Sequence, residues 1–591
     1  MPKLRKMPFR KKGAFTMQNF SINNKLFIVP LENEPKEEIK INAFLDLLSK
    51  SNITGYFKDW KEETSKVGHP EYNPCLMFAT ALLSFTLDDG SLRKISDSCR
   101  FDTRFIYIMA DQKPSYASYC NLLNKCVLKN SDEIFTKIVS TICKEMNIDT
   151  CGEVFVDGTK LEANANKYKF VWKPTKKMDN LLNKAVKQCT EIRIETENNT
   201  KKNRHYDYLK KMTAIVDLVK NKLISNGINP SEVKGGKGHR ISKIEKVYLK
   251  CVLGLEKMLE YDEQVKICGP DRNSYYKTDH DATAMCLKED YYSGLGSNMH
   301  AGYNIQAAVS KGIVLSYFVS QDRADYKTLP PFLEKHKLLY KSYPSTICAD
   351  SGYGGIINYS FLKKNNIKNY VKTNTWEGEM SGKRPALYHI GDNGNIFCLN
   401  NKEAIKIDPP RHPTFAGSEF YMIENCRACP YKKYCKKSLK KKTGPRIFEI
   451  NIEFLIEKEK AFLNLLSPHG IELRVNRSIQ VEGTFGIMKQ DMKYDRFRRR
   501  GLEKTNMEIM LTFLGMNIRK YLRYISTGEQ PEYWKAPDGL EAEKPKKISR
   551  TIKKGGIKKA KPQPNELAKK QNKLKNKHRK RAVNSHSIFV F

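Results

Sequence analysis

A chain of 591 residues is too long for one compact core, so it requires several domains or one domain carrying large insertions. Its apolar fraction of 40% is enough to fold, but 105 Lys and Arg against 65 Asp and Glu leave a formal charge of +40, which repels itself unless a polyanion relieves it. No apolar run approaches the ~18 residues that span a bilayer, and the basic start Met1-Pro2-Lys3-Leu4-Arg5-Lys6 leads into no apolar segment, so a cytoplasmic protein with no membrane role and a nucleic-acid partner is expected. A generally Lys-rich chain from an AT-rich genome is the competing account of the charge.

Residues 1–45 form a basic arm with little pattern. Residues 46–150 turn helical: Pro74 precedes the apolar stretch 76–83, and further helices fit 116–127 and 134–146. Short helices bearing Arg93, Lys94, Arg100 and Arg104 suit a helix-turn-helix DNA reader, or equally a bundle packed on the next domain. In 151–173 the period changes. Val154-Phe155-Val156, bounded by Gly152 and Gly158, predicts a buried strand with Asp157 at its carboxyl end, the edge where open α/β sheets bind ligands.

Residues 174–269 read as a helical insertion, with one stripe at Leu181, Leu182, Ala185 and Val186 and another at Val247, Leu249, Leu253, Leu255 and Met258; Lys/Asn-rich linkers are expected between them. Strands resume in 270–375, at 302–309 and 312–319, with Ser310-Lys311 as a tight hairpin. A helix over 326–339 leads to Ile347-Cys348-Ala349-Asp350-Ser351-Gly352, which repeats the earlier grammar of apolar strand, lone aspartate and glycine. A helix over 359–364 and a strand over 367–371 complete an α/β core of about five strands. Residues 376–450 hold turns, charges and four grouped cysteines; 451–525 hold helices at 474–492, with Glu482, and 504–524. In the tail 526–591, residues 551–591 carry 13 Lys and Arg against one Glu, a composition that buries no core and predicts disorder.

Two strand-end aspartates and a helix glutamate aimed at one point repel each other, so they need cations to stay ionised. Hard oxygen ligands select Mg²⁺ or Mn²⁺, and a pair of such ions suits in-line displacement at phosphorus.

Asp157-Gly158-Thr159-Lys160-Leu161-Glu162-Ala163-Asn164-Ala165, Thr278-Asp279-His280-Asp281-Ala282-Thr283, Gly302-Tyr303-Asn304-Ile305-Gln306, Ala349-Asp350-Ser351-Gly352-Tyr353 and Val481-Glu482-Gly483-Thr484-Phe485-Gly486, in that order, resemble a bacterial insertion-sequence transposase of the DDE class. The resemblance implies an α/β fold with a ribonuclease H-like mixed sheet core, preceded by a helical domain and interrupted by the helical and Cys-containing insertions. It makes Asp157, Asp350 and Glu482 the catalytic carboxylates holding two Mg²⁺ (or Mn²⁺) ions. The implied partners are double-stranded DNA, as transposon ends and target, and a second copy forming a homodimer on DNA in a nucleoid-associated setting. A metal-dependent nuclease on the same core and a catalytically inactive DNA-binding derivative are the alternatives.

On the helix of Glu482, Val481, Phe485 and Met488 form a stripe that docks on the sheet, and Lys489 lies two turns on, where it suits a phosphate. Relatives carry an Arg four residues before the Glu; here Ser478 holds that place and Arg477 lies one position off. Asp279, Asp281, Asp322 and Asp325 read as turn caps and Glu162 as an ion-pair partner. Cys398, Cys426, Cys429 and Cys435, spaced C-x27-C-x2-C-x5-C, suit either a structural Zn²⁺ site folding a region too polar for its own core or ordinary thiols. Trp376, after the fifth strand, occupies the region where hairpin-forming relatives use an aromatic to hold a flipped base; a buried structural Trp is the plainer reading. Arg496, Arg498, Arg499 and Arg500 around Phe497 suit contacts to the DNA backbone.

Overall fold

The computed structural model describes residues 35–61, 72–88, 90–196, 205–235, 240–287, 299–382, 386–391, 394–426, 429–435 and 444–545. Most of the expected basic arm, residues 1–34, and the tail beyond 545 lie outside the described residues. The chain divides into two compact units, one containing 1–161, 304–320 and 324–591 and the other 162–303 and 321–323.

In the first unit, strands β1 (Glu153–Glu162), β5 (His300–Ser310), β6 (Ile313–Ser320), β7 (Thr346–Ala349) and β8 (Lys368–Val371) make a sheet in the order β6-β5-β1-β7-β8. β5 and β6 are antiparallel, whereas β7 is parallel to both β1 and β8. The hairpin turn is Lys311-Gly312, one residue later than expected: Ser310 pairs with Ile313, and φ is 46° at Lys311 and 78° at Gly312. Two successive positive φ values match the twist of the flanking strands, and glycine takes the second without strain. β1 is also longer than its apolar run suggests and continues through Asp157 to Glu162. Helices α10 (Leu329–Tyr340) and α11 (Ile356–Lys364) connect the later strands.

The longest buried element of this unit is the helix Leu502–Thr527, α14 in the numbering used here, whose residues Met507 to Ile518 are all buried. It packs on β6 and on α1 (Pro35–Lys50), α2 (Pro74–Leu87) and α6 (Ser131–Glu145) of the N-terminal region. α2 is buried almost end to end; Asn73 caps its first turn by accepting from the Cys75 N–H, with Pro74 at the first helical position. The N-terminal helices thus pack on a later helix of the chain. α3 (Leu92–Phe101) and α4 (Thr103–Met109) carry the basic residues proposed for DNA reading, of which Lys94 pairs with Asp88 and Arg104 with Asp102.

Among the described residues β6 pairs only with β5, so its outer edge presents backbone groups that need partners. α14 supplies them: Asn517 accepts from the Val314 N–H and donates to its carbonyl, both at 2.8 Å, and Lys520 donates to the Gly312 carbonyl. The two helices α14 and α2 cross where Gly515 meets Phe85; a Cβ on Gly515 would stand 2.2 Å from the Phe85 carbonyl oxygen. The segment after α14 is not loose as far as residue 545. Gln530 bonds the Met146 carbonyl, Asn476 the Trp534 carbonyl at 2.9 Å, and Arg474 pairs with Glu543 at 2.5 Å.

In the second unit, α7 (Thr175–Glu191), α8 (His205–Ser225) and α9 (Lys243–Cys268) form a three-helix bundle. The linker expected between the two stripes is in fact α8, whose Tyr208, Met212, Ile215, Val216 and Val219 sit in the bundle core with Leu182, Ala185, Val247 and Met258. Strand β2 (Phe170–Trp172) pairs with β3 (Ser274–Tyr276), and β4 (Thr283–Met285) pairs with residues 300–302 of β5.

The Cys-containing region has an apolar core of its own, and the four cysteines of the zinc expectation come near one another beside it. β9 (Tyr388–Ile390) and β10 (Ile396–Cys398) form a hairpin, while β11 (Ile405–Ile407), β12 (Glu419–Ile423) and β13 (Arg446–Ile450) form a sheet. Ile396, Cys398, Tyr421, Ile423, Phe448 and Ile450 pack together with Leu455 of the neighbouring α12 (Ile452–Leu466); Cys426 and Cys435 lie against that cluster, and Cys398, Cys426 and Cys429 are all near enough to Cys435 for their charges to add to the rise that burial gives its thiol. Among the described residues no helix is long and apolar enough by itself to cross a membrane.

Two tests follow from this packing. Because the obstacle is backbone, Gly515→Ala is expected to force α2 and α14 apart and to cost about 2–3 kcal/mol; an unchanged urea midpoint would show that the crossing is not tight. His336 on α10 is fully buried between the Thr150 carbonyl, which accepts from Nε2 at 3.1 Å, and the Ser316 hydroxyl, 2.9 Å from Nδ1. Burial holds its pKa down to about 4, so its contribution to stability is complete above the unfolded value and is lost as pH falls towards 4. The loss amounts to about 3 kcal/mol, and a His336→Asn protein should show a correspondingly flatter dependence of melting temperature on pH over that range.

Candidate active site

Parallel pairing of β1 with β7 runs from Glu153 opposite Thr346 to Val156 opposite Ala349. The next residue on each strand is an aspartate, so the register itself sets Asp157 beside Asp350 where the pairing stops. Asp157 Oδ1 accepts from the Gly158 N–H at 2.8 Å. Gly158 does not end the strand; it leaves room for a neighbour. A Cβ there would lie 2.5 Å from Gln306 Nε2, 2.8 Å from Asp325 Oδ1 and 3.1 Å from the Tyr353 hydroxyl.

Those neighbours form a polar layer behind the aspartates. Asp325 accepts from Asn304 Nδ2 at 2.8 Å and from Gln306 Nε2 at 3.1 Å, and the Tyr353 hydroxyl donates to Gln306 Oε1. Tyr353 is fully buried, and burial together with the charges of Asp325, Asp157 and Asp350 holds its phenol firmly protonated. The chain supplies this layer from the Asn304-Ile305-Gln306 and Ser351-Gly352-Tyr353 segments. Sequence alone flags both segments through the resemblance, without their physical role. In the other unit Asp279 takes the structural part expected of it, accepting from the Tyr303 hydroxyl at 3.0 Å.

The third carboxylate arrives on a helix with an irregular path. α13 (Pro468–Arg477) continues into a π-helical turn, Ser478–Glu482, then an α-helical turn, Gly483–Gly486, then a second π-helical turn, Ile487–Asp491. Val481, Phe485 and Met488 are buried as their stripe requires, and Glu482 is about half exposed. In a regular α-helix residues five apart lie about 140° apart around the axis. The π-turn absorbs the extra residue and brings Arg477 onto the face of Glu482.

Arg477 is the centre of the site. Its Nη1 donates to Asp157 Oδ2 at 2.9 Å and its Nη2 to Glu482 Oε1 at 2.8 Å, while Ser478 Oγ donates to Glu482 Oε2 at 2.9 Å. Arg477 is 6% exposed. Burial works against its charge, but Asp157, Asp350 and Glu482, in that order, outweigh it and keep the guanidinium protonated. For Asp157 the balance tips the other way. Burial raises its carboxyl, the Asp350 charge adds to the rise, and Arg477 with the Gly158 N–H offsets only part of it.

Among the described residues no group of three or more His, Cys, Asp or Glu is placed to hold a metal ion as the side chains stand, because the Arg477 guanidinium lies between Asp157 and Glu482. The donor chemistry nevertheless suits a hard cation: anionic oxygens from two strands and a helix surround one positive group, and a partly buried carboxylate there is left short of compensation. Cys398, Cys426 and Cys429 gather near Cys435, though among the described residues they too are not placed as a metal-holding group.

The other predicted residues divide. Lys489 donates to the Lys160 carbonyl at 3.3 Å, three residues beyond Asp157 on β1. Arg496, Arg498 and Arg500 have exposed side chains. Arg499 instead faces the buried Glu508, whose carboxylate also accepts from the Arg498 and Arg499 N–H groups at 3.1 and 3.0 Å, so its role is to close the loop before α14. Trp376 is 3% exposed, packed on Phe462, Leu465 and Leu466 with the Arg474 guanidinium 5.1 Å from its ring, and offers no face to a base.

If Arg477 is the charge that lets these acids coexist, Arg477→Gln should cost about 3 kcal/mol in the absence of divalent metal at neutral pH. Since the uncompensated carboxylates then bind protons more readily in the folded state, the loss should shrink as pH falls; a deficit independent of pH between 5 and 8 would count against the clamp.

Residues 398–522 match the family model described as a transposase DDE domain. The matched stretch contains Arg477, Glu482 and Lys489 and ends inside α14. No curated protein and no solved structure matches the chain.

Proposed function

We propose, from the family match over residues 398–522, that the chain is a DDE-type transposase and that Asp157, Asp350 and Glu482 are its three catalytic carboxylates, acting in cleavage at insertion-sequence ends and in joining those ends to target DNA. The observation that carries this reading is the convergence of Asp157, from a strand, and Glu482, from a helix, on one guanidinium, with Asp350 beside Asp157. The strand order β6-β5-β1-β7-β8, antiparallel on one side and parallel on the other, supports a ribonuclease H-like core.

Two Mg²⁺ or Mn²⁺ ions on these oxygens would acidify an attacking water or 3′-hydroxyl and offset charge at phosphorus. Arg477 holds the acids together until then and afterwards turns its planar fork to a DNA phosphate, the geometry it already makes with two carboxylates. Lys489 and the exposed Arg496, Arg498 and Arg500 extend positive charge along the same stretch of chain and hold the DNA backbone. The Asn304–Gln306–Asp325–Tyr353 layer fixes the Asp157-Gly158 backbone so that the acid does not swing away. Holding two transposon ends in one complex calls for a homodimer on DNA.

The test uses purified protein, DNA carrying the element's ends, and Mg²⁺. Wild type should cleave and should also join pre-cut ends bearing a free 3′-hydroxyl, and Asp157→Ala, Asp350→Ala and Glu482→Gln should each reduce both reactions to background. An unchanged rate in any of the three removes that residue from the set. Cleavage without joining would mark a metal-dependent nuclease, and no Mg²⁺-dependent activity in wild type would mark an inactive DNA-binding derivative.

A further inference from the structure

The end of β8 repeats what the register does for β1 and β7. Parallel pairing of β7 with β8 runs from Thr346 opposite Lys368 to Ala349 opposite Val371, and its last bond joins the Lys372 N–H to the Ala349 carbonyl at 3.2 Å. One residue further on, Asp157, Asp350 and Lys372 stand side by side at the carboxyl edge of three neighbouring strands. Side chains two apart on a strand share a face, and aligned residues of parallel strands point the same way. Cys348 and Tyr370, two residues back, mark that face as the one covered by α13: Tyr370 meets His469 edge to face, and the same helix ends in Arg477. The Cys348 thiol is pushed up to about 12 by burial, and the charges of Arg477 and Lys372 both lie near enough to oppose the rise.

Lys372 is held in place but not satisfied. Gly354 fixes its backbone from a second side, since a Cβ there would stand 2.4 Å from the Lys372 carbonyl oxygen and 2.9 Å from the Asn374 nitrogen. The Lys372 side chain is half-buried, yet among the described residues its ammonium makes no ion pair and donates no hydrogen bond. Among the same residues the Asp350 carboxylate accepts no hydrogen bond, while Asp157 and Glu482 share Arg477. An ammonium that loses part of its hydration without closing on the carboxylate one strand away is short of an anion. A phosphodiester laid along this edge supplies one, and a lysine, as a point charge, suits a single phosphate oxygen.

We propose that Lys372 is a further substrate-binding residue of this site, its ammonium holding a nonbridging oxygen of the DNA phosphate that lies beside Asp350. It donates hydrogen bonds only; no bond to it forms or breaks, and its proton stays. The proposal rests on the reading of Asp157, Asp350 and Glu482 as the DNA-facing site. It adds a cation that comes from the sheet, where Arg477 and Lys489 come from the segment around Glu482.

The experiment measures binding of the full chain to a fluorescein-labelled duplex carrying the element's end, in EDTA so that no cleavage occurs, over a series of KCl concentrations. The slope of log affinity against log salt counts the phosphates neutralised, at about 0.9 for each. Lys372→Met keeps the stem and removes the charge, so it should weaken binding about tenfold and make the slope shallower by about one, whereas Lys372→Arg should keep both near wild type. Lys368→Met removes an exposed charge from the far end of the same strand and should change neither. An unchanged slope in Lys372→Met overturns the proposal; with a lowered melting temperature it would make Lys372 a structural partner of Asp350. Equal loss in Lys368→Met overturns it as well, because the effect would then be one of net charge. Should Lys372→Met be unfolded at the assay temperature, Lys372→Gln is measured in its place. The two readings fail separately: full cleavage by Asp157→Ala strikes the carboxylate assignment, whereas an unchanged slope beside three inactive carboxylate variants strikes Lys372 alone.

Discussion

Three carboxylates near one point are unstable neighbours, and the structure meets that cost with a single buried guanidinium. Arg477 spends both terminal nitrogens on Asp157 and Glu482 and feels the charge of Asp350. Elsewhere in the unit, the geometry around this cation is arranged to keep it in place. The β1–β7 register delivers two acids, a π-turn delivers the third along with the arginine, and a polar layer behind Gly158 limits how far the first strand can shift. In the proposed mechanism a cation at the acids would release Arg477 to an anion, so a cation at the acids and a phosphate at the arginine would favour each other.

The supporting frame is built from elements far apart in sequence. α14 closes the open edge of β6 through Asn517 and Lys520 and packs on the N-terminal helices, so the sheet and those helices share one buried helix. The Glu482 segment lies directly before α14 in the chain, joined to it by a loop pinned to Glu508. Its buried stripe at Val481 and Met488 fixes which way the exposed carboxylate faces.

The aspartates are legible in sequence because each follows a short apolar strand and precedes a glycine, a local pattern with a local cause. Arg477 is not, since nothing in a sequence marks a π-turn; at α-helical spacing it looks one place out of register, and only the backbone shows the offset absorbed. Gly158 reads as a strand end when its glycine answers a close approach by Gln306, a residue about 150 positions away. α8 is hidden because its core stripe is diluted by lysines, and the Cys-containing region looks too polar to pack until β10, β12 and β13 gather its scattered apolar residues.

The crossing of α2 and α14 at Gly515 also sets an order of events during synthesis. α2 is among the most apolar stretches of the chain, and its partner surface is made some 430 residues later. At roughly 5–20 residues per second the ribosome needs about 20–90 seconds to bridge that gap. Throughout that interval the nascent chain carries a hydrophobic helix with one face uncovered, and that face is buried only once α14 has left the exit tunnel. A molecule interrupted before residue 502 would thus lack more than a helix: α2 would keep its packing on α3 and α4 but leave bare the face that α14 covers.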